Sequence, residues 1–193
     1  MTKKTQNQIE LLIAQQCAPV LAGVKPSNIL ILKAEDDREV CSCLSGTQIS
    51  CHPLFNSPHH KVWLIYHRDK VQAILKQEEY QIFLEKEGYE GLCLDEMLEI
   101  LRFRFECYQN RTGDFPHELG IFLGYPLADV KGFIEHKGKN FLYQGYWKVY
   151  EDVEDRKRLF SIYTTVKQEI VKEIETGKAL WQAAGSLQAL IGA

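Results

Sequence analysis

The chain has no apolar run approaching the ~20 residues that a membrane-spanning helix needs. Its first ten residues, MTKKTQNQIE, carry two lysines but lead into no apolar core with a small-residue cleavage site, so no secretory leader is expected. Neither charge sign dominates. The formal net charge is −3, without the basic excess typical of nucleic-acid binding. A Gly-rich phosphate loop, a GxSxG elbow, an HExxH helix and a paired CxxC are all missing. Nucleotide hydrolysis, α/β-hydrolase chemistry and zincin proteolysis are therefore not expected. These absences point to a cytosolic protein bound to neither membrane nor nucleic acid, whose six cysteines are thiols rather than disulfides.

What is present is enough for a globular fold. A chain of 193 residues is expected to form a single domain, 1–193, with a sizeable core. Thr5 and Gln8 have capping-box spacing, so a first helix is predicted over Gln6–Gln16, stopped by Pro19. Pro19 to Ala22 would make a new short turn closed by Gly23. Cys17 would then lie just before a helix N-terminus, where a thiol is acidified. Ile29–Lys33, Gln48–Phe55 and Lys61–His67 read as strands, and Ala34–Ser45 has no clear period. Leu94, Leu98, Leu101, Phe105 and Tyr108 give the cleanest helical stripe. Helices are also predicted from Asp69 to Gly88, from Asp152 to Thr176 and, more peripherally, over 178–190.

The stretch FPHELGIFLGYPLADVKGFIEHKGKNFLYQGYWKVY, 115–150, holds a large share of the aromatic residues. Pro116 suits a first helical turn. Gly120 and Gly124 share one flat helix face, and Gly124 suits a left-handed helix end. Phe141–Tyr150 alternates as a strand. The expected fold class is α+β, with a small, mainly antiparallel sheet of about four strands covered by helices.

Several constellations bear on function. Cys17, His117 and Glu118 supply a nucleophile, a base and an orienting carboxylate; alternatively, Cys17 is a small core residue and the other two cap a helix. Lys25, Asn28, Tyr125, Tyr146, Trp147, Lys148 and Tyr150 could receive a small anionic ligand. Against that, Lys148 could simply snorkel over its aromatic neighbours. Cys41, Cys43, Cys51, His52, His59 and His60 have ligand side chains but no recognised metal spacing. No metal is assigned to them, and nothing in the sequence specifies a cofactor. Two functions follow. One is a ligand pocket between the Cys17–Asn28 segment and the Phe115–Tyr150 stretch, with cysteine chemistry. The other is an accessory protein that binds a protein partner through the Gly120/Gly124 face.

Two motifs carry a family resemblance. Cys17–Asn28, CAPVLAGVKPSN, fits a CAPxLAGxKPxNL pattern. The 115–150 stretch fits FPHExGxFLGYPxxDVxGFIxxxG followed by GxWKVY. Together they resemble an uncharacterised bacterial family, a domain of unknown function found mostly in anaerobic Clostridia. The resemblance spans nearly the full chain and implies no activity beyond a loose link to redox or iron metabolism. Relatives often carry a further cysteine in the last long helix, where this chain has Thr164 and Thr165.

Overall fold

The computed structural model describes residues 6–191, and side chains there other than those of residues 37–39, 41 and 187–191. The chain is α+β. Its elements are α1 (Gln6–Leu21), β1 (Ser27–Lys33), a 3-10 helix (Ala34–Glu39), α2 (Val40–Leu44), β2 (Ser50–Asn56) and β3 (His60–Tyr66). Then follow α3 (Arg68–Leu75), α4 (Glu78–Lys86), α5 (Leu94–Gln109), α6 (Leu119–Phe122) and α7 (Leu127–Glu135). A hairpin of β4 (Tyr143–Gln144) and β5 (Lys148–Val149) comes next, then α8 (Val153–Glu175) and α9 (Leu180–Ile191). The chain divides into two compact units, residues 1–68 with 163–193 and residues 69–162.

In the first unit, β1, β3 and β2 form an antiparallel sheet with β3 in the middle. Leu64 and Ile65 of β3 are both fully buried although they point to opposite faces, as the double apolar alternation of that strand requires. Ile9, Ile13, Val20 and Leu21 of α1 share a core with Leu30 of β1 and with Ile170, Ile174 and Ala183. Each sheet edge is interrupted at one point. On β1, the Gln16 side chain accepts from Ile31 N–H at 2.9 Å and donates to Ile31 O at 3.0 Å. On β2, Pro53 lacks an N–H and the register slips beside it.

The first helix corrects the sequence expectation. It runs through Pro19 to Leu21 instead of stopping at Gln16. Proline deletes only one ladder bond, and the last turn buries Val20 and Leu21 in the core. That gain outweighs the local loss. Gly23, at φ 73°, then closes the helix as expected. His67 donates from Nε2 to Val20 O at 2.7 Å, satisfying a carbonyl of the final turn. Residues 34–45, read as irregular, instead form the 3-10 helix and α2; Val40, Cys43 and Leu44 are buried there.

In the second unit, the expected fourth strand of a common sheet is a separate two-stranded hairpin. Gly145 turns the chain, its N–H donating to Trp147 O, so the alternating 141–150 stretch folds back on itself. A Cβ on Gly145 would lie 2.3 Å from the Phe160 ring, which is why no side chain stands there. Gly124 has φ 75° and joins α6 to α7 as expected.

Candidate functional site

The two motif regions were built to different ends. In the first unit, Cys17 lies inside α1, fully buried, and not ahead of a helix start. Burial pushes its thiol up to about 12, the opposite of an activated thiolate. Its Sγ lies 4.0 Å from Ile29 O. Asn28 Nδ2 donates to Gln16 O at 2.7 Å and to Ile29 O at 3.1 Å, while Asn28 Oδ1 accepts from Lys25 Nζ. Lys25 is only 3 % exposed, and burial lowers its ammonium to about 8. The fold thus brings Cys17, Lys25 and Asn28 together, as an interior polar knot that ties the end of α1 to the start of β1.

In the second unit, Glu118 is buried at the start of the short α6. Arg104 Nη1 donates to its Oε1 at 2.6 Å, and Tyr89 Oη donates to the same oxygen at 3.0 Å. Arg104 Nη2 also donates to Glu87 O at 2.6 Å, and its guanidinium lies 5.0 Å from the Tyr89 ring centre. Burial and the adjacent carboxylate push the Tyr89 phenol up. Glu118 is therefore an anchor between α5 and α6. His117 faces elsewhere, its ring 5.4 Å from Phe115 and 5.5 Å from Phe133.

A second buried carboxylate, Asp129 of α7, holds the hairpin. Its Oδ2 accepts from Trp147 Nε1 at 2.7 Å; its Oδ1 accepts from the N–H groups of Tyr150 at 2.7 Å and Glu151 at 3.3 Å. Trp147 stacks on Tyr125 at 4.5 Å, and burial raises the Tyr125 phenol to about 12. Tyr150 lies against Gly132, where a Cβ would come within 2.5 Å of its ring, and stacks on His136 at 5.6 Å. Lys148 donates from Nζ to Gly138 O at 2.7 Å and lies over Phe141 at 5.0 Å and Phe133 at 5.7 Å. Tyr125, Trp147 and Lys148 are thus engaged with the chain itself, and Tyr146 packs on Phe160 at 5.4 Å. The face opened by Gly120 is filled, with Val130 Cγ2 2.9 Å from where a Cβ would stand.

What this frame leaves outside is a strip of rings. Tyr108 meets Phe115 edge-on at 5.1 Å; Phe115 meets His117, His117 meets Phe133, and Lys148 bridges Phe133 to Phe141. Tyr108, Phe115, Ile134, Phe141 and Leu142 are exposed, Leu142 to 66 %. At the Phe115 end lies an open depression of about 340 Å³ lined by Phe103, Arg104, Cys107, Phe115 and Glu118. A separate cavity of about 410 Å³ is lined by Lys76, Tyr89, Cys93 and Met97. Cys93 is exposed and forms the N-terminal capping box of α5 with Glu96.

Among the described residues, no group of three His, Cys, Asp or Glu could hold a metal ion. Cys43 is buried in α2, and His60 is turned toward Ser57 and Phe55; the Cys41 side chain lies outside the described residues. No described helix is long and apolar enough to cross a membrane. Arg104 and Tyr89 were not singled out in the sequence, because each reads there as an ordinary member of a helix or loop, and Asp129 stood out only as a fixed position of the second motif.

Searches of curated proteins and of solved structures each returned no match. A family model described as "Protein of unknown function (DUF3793)" matches residues 13–183. That match spans both motif regions and both units, and the chain belongs to the DUF3793 family.

Proposed function

We propose that this is a non-catalytic accessory protein that binds a protein partner through the aromatic strip of the second unit. The observation that carries this reading is the series of ring contacts from Tyr108 through Phe115 and His117 to Phe133, continued to Phe141 by the Lys148 ammonium, with exposed members along it. Aromatic side chains give large contact area at low entropic cost, and they dominate binding hot spots. Contiguous exposed apolar surface on a globular protein is a mark of an interface. Thiol chemistry at Cys17 is disfavoured by its burial and its raised pKa. A second reading, a small-ligand site, is favoured by the depression beside Phe115, whose volume falls in the range of ligand pockets.

The test is photo-crosslinking in the producing cell from positions 103 and 142, with the exposed positions 31 and 181 as controls. A partner captured from 103 or 142 and not from the controls is expected. With that partner purified, Phe115→Ala should weaken binding by about tenfold or more, the mark of a hot spot. Equal labelling from all four positions would reject the reading. A low-molecular-weight ligand retained by native protein and released by Phe115→Ala would favour the second one.

A further inference from the structure

We propose that the partner segment that docks on this strip is acidic, carrying glutamate or aspartate between apolar anchors; this rests on the partner-binding reading above. The strip runs into a basic turn. Lys131, His136, Lys137 and Lys139 are exposed around the exposed Ile134, Phe141 and Leu142, and from 131 to 142 the chain carries one carboxylate, Glu135. At the other end the loop 110–114 carries one charge of each sign, Arg111 and Asp114.

The turn is held in a costly shape. Lys137 at φ 51° and Asn140 at φ 55° are left-handed non-glycine residues flanking Gly138 at φ 71°. Such conformations persist only where the surroundings impose them. Here the constraints are the Gly138 N–H bond to Phe133 O at 2.8 Å and the Lys148 bond to Gly138 O. The effect is to fix two lysines on either side of a glycine beside Phe133 and Phe141. At the start of α8, Glu154 and Asp155 are paired with Lys157 and Arg158, which leaves Glu151 and Asp152 as the exposed carboxylates after β5.

Apolar anchors with a basic rim match an acidic amphipathic segment, in which charge steers the encounter and side chains fill the surface. A nucleic acid is less well matched. The whole chain is net negative, without the basic face that tracks a phosphate backbone, and beside the lysines the exposed apolar side chains are two aliphatic residues and one ring, Ile134, Leu142 and Phe141, where a single-strand platform presents successive rings. An anionic bilayer is less well matched too, because three exposed apolar side chains, Ile134, Phe141 and Leu142, stand beside the lysines and stable surface binding needs more buried area.

The experiment uses the full chain and four probes. These are a short peptide alternating glutamate with leucine and phenylalanine, the same peptide with lysine for glutamate, phosphatidylserine vesicles and an oligouridylate. The glutamate peptide should bind at least about tenfold tighter than the lysine peptide, and the preference should shrink as salt rises. Lys137→Glu with Lys139→Glu should abolish or invert the preference, and Leu142→Ser should weaken the glutamate peptide alone. Both variants lie on exposed residues, and an unchanged thermal melt confirms their fold. Equal affinity for the two peptides, no binding to either, or tighter binding to vesicles or oligonucleotide would overturn the inference. If crosslinking from position 142 still captures a partner whose crosslinked segment is not acidic, only this inference falls. If nothing is captured from 103 or 142, the partner-binding reading falls with it.

Discussion

The two motif regions put similar residue types to opposite uses. The Cys17–Asn28 segment turns its cysteine, lysine and asparagine inward, where each meets another part of the same unit. The 115–150 stretch also buries polar groups, Glu118 and Asp129, but it uses them as pins that keep a row of rings outside. A buried polar knot can serve stability. A buried polar frame under an exposed aromatic strip can serve recognition as well.

The sharpest way to break this comparison is thiol reactivity. Cys93, exposed at the start of α5, should react with an alkylator more than about 100-fold faster than fully buried Cys17, which must wait for local opening. Site-resolved mass spectrometry on native protein measures the ratio. Rapid labelling of Cys17 would return thiol chemistry to the first motif.

The next effect is on stability. Asp129→Ala removes the acceptor of Trp147 Nε1 and of two backbone N–H groups and should cost about 3 kcal/mol in a urea titration. A loss below about 1 kcal/mol would mean that the hairpin is held without it.

The buried knot predicts a pH dependence of similar size. Lys25 is lowered from 10.5 to about 8. Between those values the unfolded chain binds the proton and the folded chain does not, so stability rises with pH through this window. Below about pH 8 the desolvated ammonium costs up to about 3 kcal/mol. Cys17 acts with the opposite sign. Its thiol is raised from 9.0 to about 12, so the folded state holds a proton that the unfolded state has lost, and stability falls as pH climbs above 9. Wild type should therefore gain stability from pH 8 to 9 and then level off. Cys17→Ala should go on gaining toward pH 10, and Lys25→Met should lack the gain. Denaturant titrations at these pH values, with parallel curves for wild type and Lys25→Met, would show that Lys25 is not desolvated as described.

The smallest effects separate frame from surface. Gly145→Ala drives a methyl group into Phe160 and should cost about 2 kcal/mol. Leu142→Ser, on an exposed side chain, should stay within about 0.5 kcal/mol. Thermal melts of the two variants measure the contrast; a Leu142→Ser loss as large as that of Gly145→Ala would place Leu142 in the frame.

Local rules carried far in this chain. The α+β class, the three strands of the first unit, the left-handed glycines at 23 and 124 and the stripe of α5 follow from periodicity and backbone sterics. Two local rules were overridden. Pro19 did not stop α1, because burial of the following turn outweighed one lost hydrogen bond. The 141–150 alternation did not make one strand, because Gly145 turns against Phe160 and Asp129 seizes the N–H groups of Tyr150 and Glu151. The grouping of Cys17, Lys25 and Asn28 was half legible: the residues stand out by type, but only packing shows that they are desolvated and inert. Glu118 was legible as a carboxylate near a helix start, but its partners Arg104 and Tyr89 lie 14 and 29 positions away. The sequence by itself determined most of the helices and strands, because those preferences act within a few residues. Which polar groups are buried as anchors, and which rings are left outside, was decided only by tertiary structure, because desolvation depends on neighbours that the chain brings in from far along its length.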